Sequence, residues 1–236
     1  MTPKYRRIAD TIRSRIRGGD YPAGSDLPKD AELAAELGET RPTVAQAMGV
    51  LATEGLVIRS SAGSKVHPIM RKITRVVPDR YEAAYRERGH GAFDVEVREC
   101  GYTPRWETTV TETADETVKH YRMWADGVPV QFATGRSPKT VADAAGTAVP
   151  DTGPGGIISR MADAGYRQVK MREEIDVRTP SEPEAAFLGL TLDQLVYEIT
   201  HTGYTADGAT VETVAHVLPV HLWQLVHTWT PDGGAA

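Results

Sequence analysis

The sequence predicts an α+β protein in two parts, an N-terminal module of three helices and a β-hairpin followed by a domain built on an antiparallel sheet. Three observations carry this. Apolar residues recur at helical spacing up to Leu51, and the helical stretches are separated by glycines. From about residue 99 the pattern changes to extended segments rich in Val, Thr, Tyr and Trp. Two pairs of these segments are joined by "ADG", at 125–127 and 206–208, and Asp-Gly is a strong short-range hairpin signal. A chain of 236 residues is long enough to bury two cores.

Each element follows from local chemistry. Tyr5, Ile8, Ala9, Ile12 and Ile16 form one face of a first helix, arginines lie largely between them, and Gly18 and Gly19 end it. "YPAGSDLP" is a turn-rich connector. Leu33, Ala34 and Leu37 mark a second, short helix that stops at Gly38. Thr40 is placed to cap a third helix with Pro42 in its first turn, and Val44, Ala47, Met48 and Leu51 form its buried stripe. The opposite face carries Pro42, Ala45, Gln46 and Gly49, a choice that favours close approach over helix stability. "GLVIRSSAGSKVHP" reads as a hairpin with arms at 56–58 and 65–67 around a small-residue centre at 60–64. Three helices and a hairpin in this order are the layout of a winged helix-turn-helix.

Residues 1–68 therefore form one domain. Residues 69–98, charged and weakly periodic, read as a linker with some helix, and residues 99–236 form the second domain. Strands are expected at 106–113, 118–124, 128–136, 166–179, 195–205 and 209–218. Helices are expected at 140–145, 157–164 and 182–188, the last opened by a capping box of Ser181 and Glu184.

Composition excludes several classes. Cys100 is the only cysteine, so neither an intrachain disulfide nor a thiolate metal cluster can form. No run of eighteen apolar residues and no apolar signal core occur, which leads to the expectation of a cytoplasmic protein without membrane contact. The net charge of -5 hides a division: residues 1–77 hold 13 Lys and Arg against 8 Asp and Glu, and the remainder hold 14 against 24. A basic module attached to an acidic one fits nucleic acid at the N-terminus and a different partner beyond it.

The stretch "YRRIADTIRSRIRGGDYPAGSDLPKDAELAAELGETRPTVAQAMGVLATEGLVIR" resembles the DNA-binding domain of GntR-type bacterial transcription regulators over nearly all of residues 5–67. "HYRMWADGVPVQ", "EEIDVRTPSEPEAAFLGL" and "DGATVETVAHVLPVHLW" resemble the UTRA domain of the HutC subfamily, a small-molecule-binding sheet domain related in fold to chorismate lyase. The resemblance implies a regulator, expected to be a repressor, that binds a pseudo-palindromic double-stranded operator as a homodimer. An effector in the C-terminal domain is expected to alter its affinity for DNA.

Arg41 and Thr43 match positions that contact DNA in the family, and Thr40 matches its helix cap. Pro42 and Gln46 lie on or beside the same face, and Gln46 can pair with adenine. Gly63 and Lys65 would serve the wing, and Lys29 supplements the basic surface. The family's usual arginines are replaced by Ala31 and Ala45, and Ala62 and Ser64 flank Gly63 in a reduced wing pattern. Either the operator differs from the family's common one, the reading preferred here, or Arg41, Gln46, Lys29 and the basic first helix carry more of the binding.

In sugar-phosphate-sensing relatives the strand before the first Asp-Gly turn supplies arginines and the strand after it a glutamate. Tyr121 and Met123 stand at those arginine positions and Ala133 at the glutamate, so a phosphosugar is not expected. Strand alternation allows one pocket to collect Tyr121, Met123, Gln131, Ala133, Glu212 and His216. Two other functions compete: an effector-independent regulator of a mobile element or replicon, whose second domain only dimerises, and a chorismate lyase-like enzyme. The sequence has no nucleophile elbow, phosphate loop or HExxH, and its seven histidines lack metal-ligand spacing, so neither catalytic residues nor a metal or other cofactor are expected.

Overall fold

The computed structural model describes residues 2–229, which fall into two compact units that divide between Arg71 and Lys72. In the first, α1 (Lys4–Gly18), α2 (Asp30–Leu37) and α3 (Arg41–Thr53) pack through Ile8, Ile12, Ile16, Leu33, Val44, Met48 and Leu51, all buried. Each such side chain is worth about 1.5–3 kcal/mol relative to exposure. Gly19 and Gly38 end α1 and α2 in the left-handed region, where a side chain would be strained. Thr40 stands at the N-cap of α3, but its hydroxyl bonds the Thr43 hydroxyl at 2.8 Å instead of a backbone N–H. The expected side-chain cap is therefore absent, and a local hydroxyl pair has replaced it. The hairpin of β1 (Val57–Ser60) and β2 (Gly63–Val66) turns through Ser61 and Ala62 alone, tighter than the sequence suggested.

The second unit begins with β3 (Ile73–Val77), a short 3-10 turn (Asp79–Tyr81), α4 (Ala83–Arg86) and α5 (Ala92–Glu99). The expected linker at 69–98 is thus corrected: most of it is ordered structure belonging to the second unit. A six-stranded antiparallel sheet follows, built from β4 (Pro104–Glu112), β5 (Glu116–Ala125), β6 (Val128–Pro138), β7 (Lys170–Arg178), β8 (Val196–Tyr204) and β9 (Thr210–Pro219), in the order β4-β5-β6-β9-β8-β7. The Asp126-Gly127 turn has positive φ at both residues, as a two-residue hairpin requires. The second Asp-Gly lies in a longer loop closed by the Thr205 N–H donating to Ala209 O at 3.0 Å.

Helices α6 (Lys139–Ala145) and α7 (Gly156–Asp163) sit between β6 and β7, and α8 (Glu182–Leu188) between β7 and β8 with the anticipated Ser181–Glu184 capping box. A final strand, β10 (Trp223–His227), pairs in parallel with β3, and neither was anticipated. The Trp223 indole N–H donates to Val130 O at 2.7 Å, which pins this pair to the main sheet. Alternation gives the sheet two different faces. Phe132, Val196 and Val217 pack against Phe187 and Leu188 of α8 on one. The other faces a cavity.

Candidate DNA-binding face and effector cavity

On the first unit, Lys29, Thr40, Arg41, Pro42, Gln46, Gly63 and Lys65 are exposed and Thr43 is half-buried. A Cβ at Gly49 would meet nothing within 4 Å, so this face of α3 is open. Lys65 lies 3.4 Å from Asp26 in a pair exposed on both sides, and such a pair exchanges readily for a phosphate. Sequence reasoning missed Arg59. From β1 its guanidinium reaches Asp30 at 2.7 Å and Ala45 O at 2.9 Å, fastening the wing to α2 and to the middle of α3.

In the second unit a cavity of about 140 Å³ lies between the sheet and residues of segments 80–94 and 150–158. Tyr121, Met123, Gln131, Ala133, Glu212 and His216 all line it. The pairings Tyr121↔Ala133 and Ala133↔His216 place three of them in one row across β5, β6 and β9. Trp106, Thr108, Lys119 and His201 join them, and these were not singled out from the sequence. Period-two alternation from Tyr121 would have found Lys119, whereas His201 needs the β8–β9 pairing. Gly156 closes the cavity's far wall. Its φ is 70° and a Cβ there would meet His90 O at 3.3 Å, so the close approach of the two wall segments requires glycine.

A buried relay crosses the sheet face. The Gln131 amide donates to His216 Nδ1 at 3.1 Å, and His216 Nε2 donates to His201 Nδ1 at 3.0 Å. His201 Nε2–H then points toward Glu212, 3.7 Å away and beyond a normal hydrogen bond. Burial lowers the pKa of both histidines; Glu212 partly offsets this at His201, the positive charge of Arg75 and Arg80 adds to it at both, and the net direction favours the neutral rings near pH 7. Most other charges here are engaged. Arg80 meets Glu96 at 2.6 Å, Arg75 and Tyr81 both bond Glu173, and Asp94 takes Arg98 at 2.6 Å. Asp151 accepts from the Gly153 N–H at 2.8 Å, which lowers its pKa.

Glu212 and Lys119 differ. Glu212 is 1% exposed with neither carboxylate oxygen hydrogen-bonded, and Lys119 is 3% exposed with no hydrogen bond or ion pair among the described residues. Burial lowers the Lys119 ammonium to about 8, partly offset by Glu212 and Asp151, so it remains mostly charged near neutrality. Burial, reinforced by Glu212, raises the Tyr121 phenol, which stays protonated. No group of three or more potential metal ligands occurs among the described residues.

A small basic winged helix-turn-helix joined to a sheet domain with an internal cavity is the architecture of a class of DNA-binding transcription regulators. Residues 4–65 match the family described as bacterial regulatory proteins, gntR family, and residues 117–221 match the UTRA domain. An HTH-type transcriptional regulator of Streptomyces coelicolor is 32% identical over 234 residues, covering 89% of this chain and 86% of that protein. The histidine utilization repressor of Pseudomonas aeruginosa is 35% identical over 57 residues, covering 24% of this chain and 23% of that protein. The crystal structure of PhnF from Mycobacterium smegmatis shares the fold at a TM-score of 0.55 and 16% identity, covering 95% of this chain and all of that one. The chain belongs to the GntR family of transcriptional regulators, with the domain combination of the HutC subfamily. It is a regulator and not an enzyme; regulators of this family bind DNA, and UTRA domains bind small-molecule effectors.

Proposed function

We propose that the protein is a cytoplasmic repressor that binds a pseudo-palindromic operator as a homodimer and releases it when an effector other than a phosphosugar fills the cavity. The observation that carries this reading is the convergence of the six anticipated residues on one cavity. Tyr121, Met123 and Ala133 give its sheet face no arginine for a phosphate. On DNA, Arg41 takes a guanine edge or a phosphate, Thr43 offers its hydroxyl and methyl, and Lys65 takes a phosphate from the wing. One such module makes a small contact; a two-fold pair reads two half-sites about one helical turn apart, which raises both affinity and discrimination.

The test is selection of bound fragments from the source genome by the purified chain, with titration of the best site at two salt concentrations. A palindrome overlapping a promoter supports the reading, and its neighbouring genes nominate effectors. Purely sequence-independent, salt-sensitive binding overturns it. Filling the cavity by Ala133→Trp, or more gently by Ala133→Leu, is expected to leave operator affinity intact and abolish release by the effector.

A further inference from the structure

The geometry points to a zwitterion with an apolar body, an amino acid or close analogue, as the ligand of the cavity. The inference rests on the effector-site reading above and assigns its chemistry. Register places Lys119 opposite Gly135, and Gly135 opposite Val214, with Glu212 two residues further along β9. Met123, paired with Trp106 and Gln131, lies at the other end of the same face. The cavity therefore has a polar end bearing one cation and one anion, both buried and neither hydrogen-bonded among the described residues, and an end walled by Trp106 and Met123.

An isolated buried charge is costly until something pairs with it. A carboxylate on the ligand would meet Lys119. An ammonium on the same molecule would fill the empty positions on Glu212, and its apolar body would extend toward Met123 and Trp106. β5 and β9 are both neighbours of β6, so their backbones stand roughly 10 Å apart, which leaves a compact headgroup between the two side chains. The volume is comparable to that of a cavity of about 150 Å³ that holds benzene, so the apolar body must be small.

Two measurements test this on the full chain. In calorimetry, valine, leucine, isoleucine, methionine and phenylalanine are compared with their deaminated acids and decarboxylated amines. At least one amino acid is expected to bind ten-fold or more tightly than both of its single-charge analogues. Equal or tighter binding of an analogue, or binding of no probe, overturns the ligand class. Binding that survives Ala133→Trp would instead overturn the placement of the effector in this cavity.

The second measurement is thermal unfolding of the ligand-free protein carrying Lys119→Met, Glu212→Gln or both. Each single substitution is expected to leave the Tm unchanged or raise it, because each removes a buried charge that has no hydrogen bond. If each single change lowers the Tm and the double change restores it, the two groups serve one another as a structural ion pair and need no ligand.

A separate observation carries a second inference: we infer that a second copy of this chain docks antiparallel along β7. It gives the proposed homodimer its surface. β7 is an edge of the sheet, and Ile175 and Val177 on it are 40% and 55% exposed, as edge strands that remain single rarely permit. Its sequence "KMREEIDVR" is complementary to its own reverse. With Glu173 on the two-fold axis, Arg172 faces Glu174, Lys170 faces Asp176, and Met171 faces Ile175. Arg75 and Tyr81 of the same protomer engage Glu173, which offsets its charge at the axis.

Light scattering on the full chain is expected to show a dimer. Arg172→Glu should weaken it at least ten-fold, and Arg172→Glu with Glu174→Arg should restore it. A monomeric native chain overturns the homodimer itself. A dimer indifferent to Arg172→Glu, or a swap that fails to restore a dimer lost in a folded variant, overturns only the β7 surface.

Discussion

Arg41 and Lys65 are both exposed cations on the first unit, yet they should fail differently when removed. Arg41 begins α3 and makes no hydrogen bond or ion pair among the described residues, so its guanidinium is available to a base edge. Arg41→Ala is expected to cost about 1–3 kcal/mol in operator binding and to relax sequence preference, measured by competition between operator and scrambled DNA. Lys65→Ala is expected to weaken all sequences alike and to reduce the log–log salt slope by about one. Buried histidines set a pH response of another kind. His201 and His216 are neutral in the fold but titrate near 6.5 when unfolded. The unfolded chain then binds more protons below that pH, so stability should fall as pH drops through 6.5. Lys119 acts at the alkaline end. The fold releases its proton near 8 and the unfolded chain near 10.5, so its contribution to stability improves as pH rises between them. Thermal unfolding across pH 5.5–10 checks both slopes, and His216→Gln should flatten the acidic one.

Elements were legible where their determinants are local. Helices α1 to α3 announce themselves through a one-sided apolar stripe and terminal glycines, and α8 through Ser181 and Glu184. β3 was not legible, because "ITRVV" is five residues with an arginine at its centre and its partner β10 lies at the far end of the chain. α5 was hidden for a different reason. "FDVEV" alternates as a strand would, and its Asp94 and Glu96 appear solvated, yet both are buried in ion pairs. The sheet face of the cavity could therefore be read from alternation, whereas its other wall could not. That wall depends on Gly156, where the φ of 70° and the approach to His90 O both exclude a side chain. Gly156→Ala is expected to destabilise the second unit by about 1–3 kcal/mol in thermal unfolding, and to weaken ligand binding more than DNA binding.

At the scale of the whole molecule, the two units have separate cores and separate chemistry. Leu51→Ala, in the first, is expected to cost about 2–5 kcal/mol and to abolish DNA binding. Ligand binding should persist, as calorimetry on the same preparation would show. The overall division was visible in the charge distribution and the change of periodicity, but the position of the join was not. Charged residues such as Arg75, Arg80 and Arg86 suggest an extended spacer, and only their buried contacts reveal that they belong inside. This matters to anyone grafting the sensor onto a foreign DNA-binding head. A splice at residue 98 would discard β3, α4 and nearly all of α5, along with Arg80, Tyr81 and Phe93 from the lining of the cavity. A splice after Arg71 keeps the cavity whole, so chimeras joined there, and not those joined at residue 98, should retain whatever ligand response the cavity confers.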